Sequence, residues 1–232
     1  MPRRLLIPVI LPLIAALAAT TTRAQANLHS ARSVAAGAES GQTVDGIAAR
    51  IEDDILTESE VTELAAFQTL VDGQSKPREE IIRELADQWI VRGEASATQY
   101  PEPSAQDVDN AYAQLEKQFP SGEEFLKRCV AAGLAESAVR RLLAQQLYLS
   151  RFLDFRFRPA AQVDDQQVDA YYKNDFVPQL QKRGEPVPPL DDVDDTIREV
   201  LVQRAINDRA TAWLDETRER LQIDVMSPEN KR

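Results

Sequence analysis

From Val44 to Ile51 apolar residues alternate with polar or small ones over most of the stretch, a period of two that predicts a β-strand. Glu52-Asp53-Asp54 is a turn cluster, and Ile55-Leu56 is a second short extended piece. The period then changes. Thr57-Glu58-Ser59-Glu60 has the spacing of a capping box, in which the Thr hydroxyl accepts a first-turn N–H and the Glu reaches back to the cap. Val61, Leu64, Ala65 and Gln68 share one face of the helix that follows, and Asp72-Gly73 ends it. Pro77 suits the first turn of the next helix, where Ile81, Ile82, Leu85, Trp89 and Ile90 form an amphipathic stripe.

Pro101-Glu102-Pro103 is a rigid break. Ser104 with Asp107 caps a helix carrying Val108, Ala111, Tyr112 and Leu115, and Phe119-Pro120 stops it. Ser121 with Glu124 caps a short helix carrying Phe125, Leu126, Cys129 and Val130, which ends at Gly133. Glu136 to about Arg158 is a long helix with Val139, Leu142, Leu143, Phe152, Phe155 and Phe157 among its apolar positions, closed by Pro159. Asp164-Asp165 opens a helix through Val168, Tyr171, Tyr172 and Phe176. The stretch 178–190, with Pro178, Pro186, Pro188, Pro189, Gly184 and the pair Lys182-Arg183, reads as the clearest loop of the chain. Asp191 to Leu221 is a long helix whose four leading acids complement its dipole, and Gln222 to Val225 is a closing strand. Strands at opposite ends of a helical chain are expected to pair, because each alone leaves backbone groups unmatched.

The amino-terminal stretch is an address, not structure. Arg3 and Arg4 form a positive head, Leu5 to Ala19 an uncharged and mostly apolar run, and Ala24-Gln25-Ala26 a small-x-small cleavage site. The run is about fifteen residues, short of the roughly twenty a membrane span needs. Residues 1–26 are therefore expected to be a signal peptide, 27–42 a flexible leader containing His29, 43–226 one helical domain, and 227–232 a tail. Export to the periplasm, or otherwise across a membrane, follows. Removing Arg3, Arg4 and Arg23 takes the formal charge from −11 to −14. An excess of this sign argues against non-specific binding to nucleic acid or to anionic lipid.

Composition narrows the chemistry further. With 43% apolar and 28% charged residues, and only 8 Gly, the chain builds a real core and is neither collagenous nor disordered. The single Cys129 excludes a disulfide framework, and the single His29 excludes any site needing two histidines from one chain. There is no GxGxxG, P-loop, HExxH or CxxC pattern. No catalytic, cofactor or metal residue is assigned, and no cofactor is expected. Cys129 lies on the apolar face of a short helix and reads as a buried, inert thiol. The aromatic residues from Phe152 to Phe176 read chiefly as core. Phe155, Phe157 and Leu153, however, cannot all face one side of a helix.

The order of these elements resembles the SurA-type periplasmic chaperones and the related PpiC-type exported prolyl isomerases. The similarity is carried by Val44 to Val61 with its Ile55-Leu56-Thr57-Glu58-Ser59-Glu60-Val61 helix entry, by Glu79 to Arg92, and by Ser104 to Val168. It is also carried by Val163 to Tyr172 and by Ile197 to Val225 with Trp213-Leu214. The resemblance implies a mainly α fold, a multi-helix core like the SurA amino-terminal domain. Short strands near both ends of the mature chain pair together, and a long carboxy-terminal helix returns onto the core. That family inserts one or two parvulin domains, each carrying histidines at its site, before the final helix. Here only the Pro-rich stretch stands in that place, so isomerase activity is not expected. The resemblance implies an ATP-independent chaperone that binds unfolded or extended polypeptides, such as envelope or outer-membrane clients. Phe155, Phe157, Tyr172 and Phe176 are the candidate peptide-binding residues. The alternative is a dedicated interaction subunit of an envelope assembly with one fixed partner.

Overall fold

A three-stranded antiparallel sheet joins the two ends of the described chain. The structure, a computed structural model, describes residues 45–227. The expected signal peptide and leader, with His29, lie outside it, as do Thr43, Val44 and residues 228–232. Strand β1 (Ile47–Ile51) is central, flanked by β2 (Asp54–Thr57) and β3 (Ile223–Val225). The expected pairing of opposite chain ends is therefore present. Ile51 stands between Asp54 and Ile223, and Ala49 between Leu56 and Val225. Directly opposed residues share a face. Ala49, Ile51 and Leu56 are buried on the inner face, and Ile223 packs against the same cluster. Arg50, Ile55 and Asp224 face outward and are exposed.

The helices begin where side-chain caps supply the unmatched N–H groups. Helix α1 (Glu58–Asp72) starts on the predicted capping box: the Glu60 N–H donates to Thr57 Oγ1 at 3.2 Å, and the Thr57 N–H donates to Glu60 Oε2 at 2.8 Å. It ends at Gly73 in the left-handed region. Pro77 precedes α2 (Arg78–Ala97). Ser104 and Asp107 cap α3 (Ala105–Glu116), and Ser121 caps α4 (Gly122–Ala131). Helix α5 (Glu136–Phe157) runs into a 3-10 turn at Arg158–Ala160 that holds Pro159. Asp164 and Gln167 cap α6 (Asp165–Tyr171).

From here the structure corrects the sequence reading. The chain does not leave the helix at Pro178. It passes through a π-helical turn at Tyr172–Phe176 and continues as α7 (Val177–Arg183). A proline inside an α-helix loses one hydrogen bond and drives its ring into the carbonyl four residues back. The wider turn just before Pro178 relieves that clash, since the Val177 N–H reaches the Tyr172 carbonyl. Burial of Leu180 favours keeping the rod helical. Lys182 and Arg183 are thus the last turn of α7, placed to complement its dipole, and the loop shrinks to 184–189. Helix α8 (Leu190–Arg218) then returns the chain to the sheet, shorter at its end than the pattern predicted.

Three apolar clusters hold these elements together. Ala48, Ala49, Ile51, Leu64, Ile81 and Ile82 seal the sheet against α1 and α2. Phe67, Tyr112, Phe125, Cys129, Val139 and Leu142 join α1, α3, α4 and α5. There Phe125 is fully buried, with the Tyr112 ring edge-on at 5.4 Å. Val91, Ala95 and Phe152 join α2 to α5, with Trp213 and Leu214 of α8 packed on them. Cys129 is buried as expected, and burial pushes its thiol pKa up, away from reactivity. The return of α8 onto α2 is also pinned by charge. Arg218 meets Asp87 at 2.6 Å, and Arg83 meets Asp215 at 3.0 Å. Burial pushes the Asp87 carboxyl above its usual range despite the arginine beside it.

Candidate functional site: an aromatic ridge and a leucine-floored cleft

On α5 successive residues turn by about 100°, so Phe155 and Phe157 point about 160° apart and fall on opposite flanks. Phe152 points inward and is buried. Phe155 is the most exposed aromatic of the candidate set, at 61%. Its ring leans on Tyr100 at 5.3 Å. Tyr100 in turn touches Phe152 at 5.5 Å and Tyr148 at 5.9 Å, and the Tyr148 hydroxyl donates to the Tyr100 carbonyl at 3.4 Å. Tyr100 is presented there by the end of α2, where Gln99 takes the left-handed conformation (φ 53°) and turns the chain towards Pro101.

Phe157 is half-buried on the other flank, 5.8 Å from Trp213 of α8. The Arg156 guanidinium lies over Trp213 at 4.7 Å and pairs with Glu94 at 3.0 Å, which joins α5, α8 and α2. Nearby, Asp107 accepts from Arg151 at 2.8 Å; this bond, with those from Ser104, holds its carboxyl far below the usual carboxylate range. The ridge is thus one exposed ring, Phe155, standing on the half-buried rings of Tyr100 and Tyr148 with charge pairs along its margins, while Phe157 stands on the opposite flank.

Tyr172 and Phe176 lie elsewhere, on the rod formed by α6 and α7. Their rings stack at 5.9 Å, both half-buried, and the Tyr172 hydroxyl donates to the Pro188 carbonyl at 2.7 Å. That bond ties the proline-rich loop to the rod. The four candidates therefore stand at three places: Phe155 against Tyr100, Phe157 against Trp213, and Tyr172 with Phe176 on the rod. Sequence reasoning missed Tyr100 and Tyr148 altogether. Only the fold brings them together, since the two are 48 positions apart.

A separate cleft of about 320 Å³ opens between α1, α2 and α5 beside β2. Leu56, Leu64 and Leu142, all buried, form its floor, and the half-buried Leu85 adds apolar surface beside them. Around them stand Glu60, Glu63, Gln88, Arg92, Arg141 and Gln145. Arg141 pairs with both carboxylate oxygens of Glu63, and Glu60 is turned to the cap of α1. Arg92 has no ion-pair partner among the described residues. Nothing in the sequence pattern marked this cleft, because its walls come from three helices and a strand.

No family model matches the chain, and no curated protein matches it at a significant level. Among the described residues no helix is long and apolar enough to cross a membrane.

Proposed function

We propose that this protein is an exported, ATP-independent binder of unfolded or extended polypeptides, and that it works without isomerase activity. The observation that carries the reading is Phe155. A large aromatic ring held 61% exposed on a rigid helix, backed by three further aromatic residues, is what an adaptable apolar binding surface requires. The aromatic support fixes the ring without covering it. The SurA-like order of elements supports the same reading, as does the closing strand paired with the opening one. The lone His29 argues against a parvulin site, and the signal-peptide pattern of residues 1–26 argues for export. A strongly acidic surface would keep a loaded complex in solution.

The test is suppression of aggregation. An unfolded outer-membrane β-barrel protein is diluted from denaturant with increasing amounts of the purified protein and no nucleotide, and light scattering is followed. Suppression near stoichiometric ratios is the expected result. Unchanged scattering with several unrelated clients would remove the chaperone reading and favour a single fixed envelope partner.

A further inference from the structure

The geometry points to a second binding site: the leucine-floored cleft between α1, α2 and α5 receives the carboxy-terminal residue of a bound polypeptide, its terminal carboxylate held by Arg92. This rests on the polypeptide-binding reading above and adds a subsite to it, away from the aromatic ridge.

Leu85, Gln88 and Arg92 recur at three- and four-residue spacing, so α2 presents them on one face to the cleft. The charges of the cleft are nearly all committed. Glu63 is neutralised by Arg141, and Glu60 sits on the N–H of Thr57, where the α1 dipole offsets it. Arg92 is left as the cation without a counter-charge among the described residues. A guanidinium on the wall of a cleft that is floored by leucine and otherwise lined by polar side chains is matched by a carboxylate carried on a small apolar group. Gln88 and Gln145 make the occupant more specific. Their carboxamides each offer a donor and an acceptor, and their side chains have no hydrogen-bond partner among the described residues. One peptide group uses both, whereas a free fatty acid carboxylate only accepts and leaves the carboxamide oxygens without a donor. The cleft volume, about 320 Å³, lies at the lower end of ligand-pocket volumes and suits a terminal residue better than a long segment.

A short labelled peptide ending in leucine with a free carboxylate, and the same peptide amidated, are titrated into the protein and followed by fluorescence polarisation. The free acid is expected to bind about tenfold more tightly than the amide, the worth of a charge-assisted hydrogen-bonded pair. Arg92→Gln is expected to abolish that difference, and Arg92→Lys to keep part of it. Arg92 is exposed, so both variants should melt like the parent protein. Equal binding of acid and amide, or a difference that survives Arg92→Gln, overturns the site while leaving the polypeptide reading intact. So does a protein that suppresses aggregation but binds neither peptide. Arg92-dependent binding of hexanoate without binding of the peptide overturns it too, because the occupant is then a free acid. Loss of aggregation suppression in the parent protein removes the broader reading separately.

Discussion

Gln99 carries backbone strain that a glycine would not. Its φ of 53° closes α2 with the Tyr100 N–H on the Ala95 carbonyl at 2.9 Å and its own N–H on Ser96 at 3.0 Å. The same bonding pattern ends α4, where Gly133 occupies the equivalent place. Gln99→Gly is expected to raise stability by roughly 1 kcal/mol, a shift of about 2–4 °C in Tm by calorimetry. Phe155 and Phe157 differ in the opposite sense. Phe155→Ser should leave Tm almost unchanged and weaken client binding severalfold, whereas Phe157→Ala removes the aromatic ring packed beside Trp213 and should cost about 1–3 kcal/mol. Arg158 supplies a pH signature. It bonds Asp154 at 2.7 Å and Glu199 at 2.8 Å and holds both carboxyls below their usual range. Carboxylates depressed in the folded state stabilise it above their unfolded pKa of about 4, and that contribution fades as pH falls through the folded values. All three groups are substantially exposed, so Arg158→Gln should cost at most about 1 kcal/mol at pH 7. The gap between variant and parent melts should narrow as pH falls below about 4.

At the scale of elements, the sheet depends on its latest strand. β3 covers one edge of β1, Ile223 packs on the inner cluster, and the Gln222 N–H donates to the Glu52 carboxylate at 2.8 Å. Ending the chain at Leu221 uncovers that edge of the central strand. The expected outcome is a Tm several degrees lower, with amide exchange rising first at Arg50 and Glu52, whose N–H groups face β3. Unaltered protection there would mean that β3 is ornamental. The boundaries of most elements were legible because each carries a local signal: Thr57 with Glu60, Ser104 with Asp107, Asp164 with Gln167, and glycine at 73 and 133. The failure at Pro178 has the same origin. The local rule that proline ends a helix is correct for an α-turn, but no residue pattern announced that a π-turn would absorb it.

At the scale of the molecule, three clusters form where α5 and α2 each meet several partners, and the charge pairs between α2 and α8 fix the returning helix. The apolar stripes decide which helix faces turn inward, so the mainly helical class is legible in the residue pattern alone. The sites are not. Phe155 and Phe157 could be singled out because one helix cannot bury both, yet the Tyr100 support for one and the Trp213 partner of the other come from distant segments. Arg92 reads as one more surface charge in the sequence, and only the packing of α1 and α5 around it makes a cleft. The central claim is that extended polypeptide lies along the ridge at Phe155. The most direct measurement places a photo-activatable phenylalanine analogue at position 155, with a control at the exposed Asp165, and irradiates the protein in the presence of an unfolded outer-membrane client. The account predicts a client adduct from position 155 that the unlabelled client competes away, and little from position 165. Equal labelling from both positions, or none from 155 while aggregation is still suppressed, would contradict it.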